Sequence, residues 1–195
     1  MSTEAQHRAL LQAIVDTARA IFGAAAASVF LHDEERGDLV FEAVSGAGSG
    51  ELVGQRFPAG TGIAGSVLAT GQPLVVEQVE QDPRFAREAA EATGYVPRAI
   101  MAVPLVAGGR ALGVLSVLDR RDRSRSALEE IELLGLFAEQ AAIALDLLAR
   151  ERRAGEAASR PAARVAVAVD ELEGARRRSA ERLLESLAEL LGPES

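Results

Sequence analysis

The 195-residue sequence predicts an α+β domain built on an antiparallel sheet. Three observations carry that prediction. Two pairs of apolar segments each fold back across a turn, one at Glu34-Glu35-Arg36-Gly37 and one at Gly108-Gly109. Helical patterns stand before the first pair and after the second. No regular alternation of strand and helix runs through the chain, which argues against a parallel sheet.

The elements follow in order. Residues 3–22 read as a helix: Thr3 and Gln6 have capping-box spacing, and Gly23 supplies a stop. Its apolar residues form two rows, Leu10-Ile14-Ile21 and Leu11-Val15-Ala18-Phe22. Residues 27–33 and 38–45 form the first hairpin, and 46–60 read as irregular. A short helix over 62–70 closes at Gly71 and Pro73, followed by a strand at Leu74-Val75-Val76. Asp82-Pro83 predicts a helix start, with Asp as cap and Pro at the first helical position, and that helix ends at Gly94. Residues 98–107 and 111–119 form the second hairpin. Ser126 and Glu129 cap a long helix to about residue 153. These elements make a domain over residues 1–153. A small-residue linker with Pro161 covers 154–164, and an amphipathic helical tail covers 165–192.

Composition removes whole classes of function. There is no cysteine, so disulfides, thiolate metal sites and cysteine nucleophiles are excluded. The net charge of −8 falls on residues 1–149, with 12 Arg against 20 acids, while residues 150–195 balance 9 against 9. An acidic body repels a phosphate backbone, which argues against a nucleic-acid partner. No apolar run approaches the ~20 residues of a membrane span. The first residues lack the basic start and apolar stretch of a signal peptide, so a cytoplasmic location is expected. In the tail, Glu181, Glu185 and Glu189 interleave with the apolar residues, which suits a partner helix better than a membrane surface.

The stretch 57–76 is the most informative. Gly60-Thr61-Gly62-Ile63-Ala64-Gly65 matches the dinucleotide-binding pattern G-x-G-x-x-G. That motif requires an apolar parallel strand running straight into the first glycine. Here residues 51–59 are polar, interrupted by Gly54 and ended by Pro58, so the context is missing.

The long helix carries Ile131, Leu134, Ala138, Ala141, Leu145 and Leu148 at heptad-like spacing, with Leu133, Leu136, Phe137, Ala144 and Leu147 beside them. A helix packed on one sheet needs a stripe only about 100° wide. The wider apolar girth has two readings, a broad buried face or a second face for another subunit. The second is favoured, with Leu10, Ile14 and the six heptad residues as the expected dimer contacts.

In this arrangement the chain resembles a GAF domain, the small-molecule sensing module of signalling proteins. The resemblance spans about residues 5–150. It is carried by Ala27-Ser28-Val29-Phe30-Leu31 with Asp33, and by Gly60-x-Gly62-Ile63-Ala64-Gly65-x-Val67-x-x-Thr70-Gly71-x-Pro73-Leu74. It is carried further by Asp82-Pro83-Arg84-Phe85, Ala102-Val103-Pro104-Leu105-Val106 and Leu112-Gly113-Val114-Leu115-Ser116-Val117. The resemblance implies an antiparallel sheet of five to six strands with the N- and C-terminal helices on one face. It also implies a pocket under small helices and loops on the other face, and a homodimer joined through the terminal helices.

Several activities of that family need residues this chain lacks. Covalent attachment of a bilin and reduction of free methionine sulfoxide both need cysteine. The Asn-Lys-x-Phe-Asp-Glu signature of cyclic-nucleotide-binding members needs Asn and Lys, and neither occurs. Haem-binding members use a histidine near the second hairpin, whereas Gly94-Tyr95-Val96-Pro97-Arg98 has none and the two histidines are His7 and His32. No metal site is evident. Ser66 and Ser116 have no base nearby, so no catalytic residues and no enzyme are expected.

The candidate ligand-binding residues are Phe57, Thr61, Ile63, Ser66, Phe85, Tyr95, Met101, Val103 and Ser116. The aromatics and Met101 would supply apolar area, and the hydroxyls would hold polar atoms together with the first amides of the 62–70 helix. Two functions compete. One is a non-catalytic cytoplasmic sensor that binds an unidentified small molecule and signals through its dimer helices to a separate protein. The other is a dimerisation scaffold whose pocket is filled by its own side chains.

Overall fold

The computed structural model describes residues 3–48, 52–121 and 126–170. Helix α1 (Thr3–Ile21) leads into β1 (Ala24–Asp33) and β2 (Asp38–Gly46), which pair antiparallel. A three-residue strand, β3 (Arg56–Pro58), follows within the stretch expected to be irregular; it pairs antiparallel with the start of β2. Helix α2 (Gly62–Thr70) covers the expected residues and ends on Gly71 in the left-handed conformation. After β4 (Leu74–Val76) come a 3-10 turn over Val79–Gln81 and the short helix α3 (Arg87–Ala92). Strands β5 (Ile100–Ala107) and β6 (Arg110–Arg120) make the second hairpin, and α4 (Ala127–Asp170) completes the described chain.

The six strands form one antiparallel sheet in the order β3-β2-β1-β6-β5-β4. The two hairpins therefore join side by side, first strand of one against last strand of the other. Gly108 and Gly109 both have positive φ in the two-residue turn between Ala107 and Arg110, the combination that matches the twist of a tight hairpin. Among the described residues no parallel strand neighbours residues 60–65, so the dinucleotide-binding context is not found there. The glycines of that motif have a packing role instead. Gly62 has a φ of +68°, and a Cβ on Gly65 would lie 2.4 Å from the carbonyl carbon of Gly60.

Alternation along the strands divides the interior into two apolar layers. Behind the sheet, Leu11, Ile14, Val15, Ala18 and Phe22 of α1 pack with Leu134, Ala138, Ala141, Ala142 and Leu145 of α4 against Val29, Met101, Val103, Leu115 and Val117. In front, Ile63 and Val67 of α2 pack on Ile100, Ala102 and Val114. Both terminal helices thus clad one face, as the resemblance implied.

The structure corrects the helix expected from Asp82. Its carboxylate accepts from the Arg84 backbone N–H at 2.9 Å and pairs with the Arg84 guanidinium, forming a turn, and α3 begins only at Arg87 without a side-chain cap. The Ser126–Glu129 box is present in both directions: the Ser126 N–H donates to Glu129 at 2.8 Å, and the Glu129 N–H to Ser126 Oγ at 3.2 Å. The Thr3–Gln6 pair falls on a Thr3 side chain outside the described residues.

Five of the eight expected dimer contacts are corrected as well. Ile14, Leu134, Ala138, Ala141 and Leu145 are buried against the chain's own sheet, and Leu10 and Ile131 pack half-buried at the edge of that layer. Leu148 is also half-buried. A heptad seam and a helix stripe on a sheet share nearly the same period, so spacing alone could not say which row faces inward. The outward row is Leu128, Leu136, Ile143 and Leu147.

Among the described residues, those up to Leu148 belong to one compact unit and those from Ala149 to Asp170 to another. The small-residue stretch 154–164 is helical within α4, Pro161 included. The tail expected over 165–192 is helical to Asp170, and the rest lies outside the described residues. Among the described residues no helix is long and apolar enough to cross a membrane.

Candidate functional site

In front of the sheet lies a cavity of about 130 Å³. Its floor is the sheet itself: Ser28 and Phe30 of β1, Leu39 and Phe41 of β2, Ile100 of β5, Ser116 and Leu118 of β6. Phe57 of β3 and residues Thr61 to Ala64 at the start of α2 form one wall. Phe85 and α3 form a second wall adjoining the first, and Thr93, Tyr95 and Pro97 complete the lining.

Six of the nine expected ligand-binding residues come together here: Phe57, Thr61, Ile63, Phe85, Tyr95 and Ser116. The other three do not. Met101 and Val103 lie in the layer behind the sheet, because they are one step out of phase with Ile100 and Ala102, which face forward. Ser66, a turn into α2, donates its hydroxyl to the Gly62 carbonyl at 3.2 Å and does not reach the cavity.

Sequence reasoning missed Phe30, Phe41 and Ser28. Phe30 and Ser28 could have been read from the two-residue period of β1. Phe41 could not. The β1–β2 register shifts between Val29, opposite Ala43, and Phe30, opposite Phe41, leaving Glu42 as the extra residue. That bulge puts Phe41 in the cavity and Ala43 in the rear layer, although two positions apart in a regular strand share a face. Once aimed forward, Phe41 stacks at 4.1 Å from Phe30 and meets Phe57 edge-on at 5.8 Å between ring centroids.

The rim is tied down by Asp119 at the end of β6. Its carboxylate accepts the Tyr95 hydroxyl at 2.5 Å and the N–H groups of Arg98 and Ala99 at 2.9 Å each. Among the described residues Asp119 is the one non-glycine with positive φ, at 49°. Burial, and then the bond to Asp119, push the Tyr95 phenol up to about 12. Its neighbour Arg120 turns the other way and meets Glu130 of α4 at 2.5 Å, the two side chains almost wholly shielded from solvent. It also reaches Glu77 after β4. The cavity rim and the first turn of α4 are therefore anchored by consecutive residues.

Among the described residues no charged side chain lines the cavity. Arg84 pairs with Asp82 at 2.6 Å, and Arg98 borders a separate depression beside Glu77, Asp119, Arg120 and Arg121. Among the described residues no three His, Asp or Glu side chains are grouped to hold a metal ion.

The GAF domain family model matches residues 6–145. The chain belongs to the GAF domain family. Over 125 residues this GAF domain is 30% identical to a probable 3',5'-cyclic phosphodiesterase of Caenorhabditis elegans, covering 58% of the chain and 17% of that protein. It is 31% identical over 108 residues to a Nif-specific regulatory protein of Herbaspirillum seropedicae, covering 54% of the chain and 20% of that protein. The chain thus spans a fifth or less of the length of these two relatives. Among solved structures, the GAF domain of a phosphoenolpyruvate-protein phosphotransferase from Coxiella burnetii superposes with a TM-score of 0.66 at 23% identity. That match covers 76% of this chain and 86% of that one. The second GAF domain of DevS from Mycobacterium smegmatis superposes with a TM-score of 0.61 at 21% identity, covering 75% and 98%. These two share the fold. The module is one that recurs in phosphodiesterases and regulators, where it is a regulatory part.

Proposed function

We propose that this chain is a non-catalytic sensor that binds a small molecule in the forward cavity and passes a conformational signal through its terminal helices to a partner protein in the cytoplasm. The observation that supports a sensor over a scaffold is the space itself. Phe57 and Tyr95, the side chains able to plug the site, stand in its walls and leave about 130 Å³ between them. The two faces of α4 support the second half of the reading. One covers the sheet, and the other presents Leu136, Ile143 and Leu147 outward, a row that suits a second copy of the chain.

A ligand shifts such a domain only through unequal affinity for two states. Tyr95 is the group placed to feel the difference. A ligand that moves its ring strains the bond to Asp119, and Asp119 adjoins the Arg120–Glu130 pair at the start of α4.

A thermal-shift screen with purines, cyclic nucleotides, 2-oxo acids and aromatic metabolites tests the reading. A ligand at 100 times its dissociation constant stabilises the fold by about 2.7 kcal/mol. A flat screen, with xenon also failing to enter the cavity by xenon NMR, would overturn the sensor in favour of the scaffold.

A further inference from the structure

The sensor reading leaves the class of ligand open, and the lining narrows it. Five of the chain's seven aromatic side chains (six Phe and one Tyr) surround one cavity: Phe30, Phe41, Phe57, Phe85 and Tyr95. Rings stack on rings offset or edge-on, at centroid separations of about 4.5–7 Å. The Phe41–Phe57 pair already meets edge-on at 5.8 Å, and Phe30 lies tilted against Phe41. A cavity of about 150 Å³ with apolar walls is known to stay dry and take up benzene. The volume here, about 130 Å³, suits one ring and little more.

The polar handles are equally specific. Ser28 and Ser116 are directly opposite each other on β1 and β6, each is 5% exposed, and both line the floor of the cavity. Neither hydroxyl has a hydrogen-bond partner among the described residues. Each can donate and accept, so the pair matches a hydroxyl or a carbonyl on a guest equally well. The Tyr95 hydroxyl is already committed to Asp119 and Thr93 Oγ1 to the Ala90 carbonyl, so neither competes for that guest. With no cation on the walls among the described residues, a carboxylate or phosphate placed here would be desolvated without compensation.

We infer that the forward cavity takes a neutral single-ring aromatic molecule carrying one hydroxyl or carbonyl, its ring among the phenylalanines and its polar group on Ser28 and Ser116. This deepens the sensor reading and rests on it. Phenol is the probe, with toluene, benzoate and cyclic GMP as comparators, each titrated calorimetrically into the full chain. Phenol binds, toluene binds about tenfold more weakly for want of the hydrogen bond, and benzoate and cyclic GMP do not bind.

Two variants locate the site. In Ser28→Ala/Ser116→Ala the affinity for phenol falls to that for toluene, which itself is unchanged. In Ala89→Phe, which narrows the cavity from α3, both are lost. Phenol binding that survives Ala89→Phe, or that ignores the serine changes, overturns the proposal. Binding of cyclic GMP or benzoate with phenol silent overturns the ligand class while leaving the sensor standing. If none of the four binds, the class is again wrong, and the sensor falls with it only if xenon and the wider screen are also flat.

Discussion

Tyr95 and Asp119 are joined by a 2.5 Å hydrogen bond that holds the rim of the cavity to the last turn of the sheet, 24 residues along the chain. Asp119 pays for that position with a left-handed backbone and recovers two further bonds from Arg98 and Ala99. The geometry makes the tyrosine a reporter, because the chain has one Tyr and no Trp.

The phenol is raised from 10.0 to about 12, first by burial and then by Asp119. A raised folded-state value contributes stability that is complete below the unfolded value and is lost as pH rises through the folded one. Ultraviolet titration should therefore give tyrosinate with a midpoint near 12, and the fold should lose stability between about pH 10 and 12. Tyr95→Phe should flatten that alkaline loss, and Asp119→Asn should lower the midpoint. A native midpoint near 10 would show the phenol neither buried nor bonded to Asp119 in solution.

The Arg120–Glu130 pair should behave as a buried one, since the two side chains are 6% and 5% exposed. Removing one partner leaves a desolvated charge and costs about 3–5 kcal/mol. Glu130→Gln and Arg120→Met should each lower the urea midpoint strongly, while Arg120→Met/Glu130→Met should cost clearly less than the two added together. Additive losses in that cycle would mean the groups do not interact.

The two rows of α4 should separate by mutation. Leu134 is 0% exposed, and Leu134→Ala should cost about 2–5 kcal/mol in equilibrium unfolding. Leu136 and Leu147 are 64% and 61% exposed, so Leu136→Glu/Leu147→Glu should leave the monomer's stability within roughly 1 kcal/mol. Light scattering should find the native chain dimeric and this variant a folded monomer. A dimer that survives the double change would place the contact on another surface.

Much of the fold was legible from local chemistry. Gly108-Gly109 announced a tight hairpin, Gly71 a helix end, and Ser126 with Glu129 a helix start, because each depends on backbone conformations or bonds made within a few residues. Asp82-Pro83 misled for the same local reason. Arg84 competed for the carboxylate through both its amide and its guanidinium, and the competing turn won.

What the residues determined by themselves was most of the elements, though neither β3 nor the helical 154–164 stretch, together with the antiparallel class, the family and a glycine-rich segment beside a site. What only the tertiary structure decided was facing. Met101 and Val103 turn backward, Phe41 turns forward across the bulge at Glu42, and Leu134 rather than Leu136 covers the sheet. A strand's period is two and a helix's 3.6, so either face satisfies the pattern equally. Cross-strand register and the position of the neighbouring layer choose between them, and both are set by residues far away in the chain.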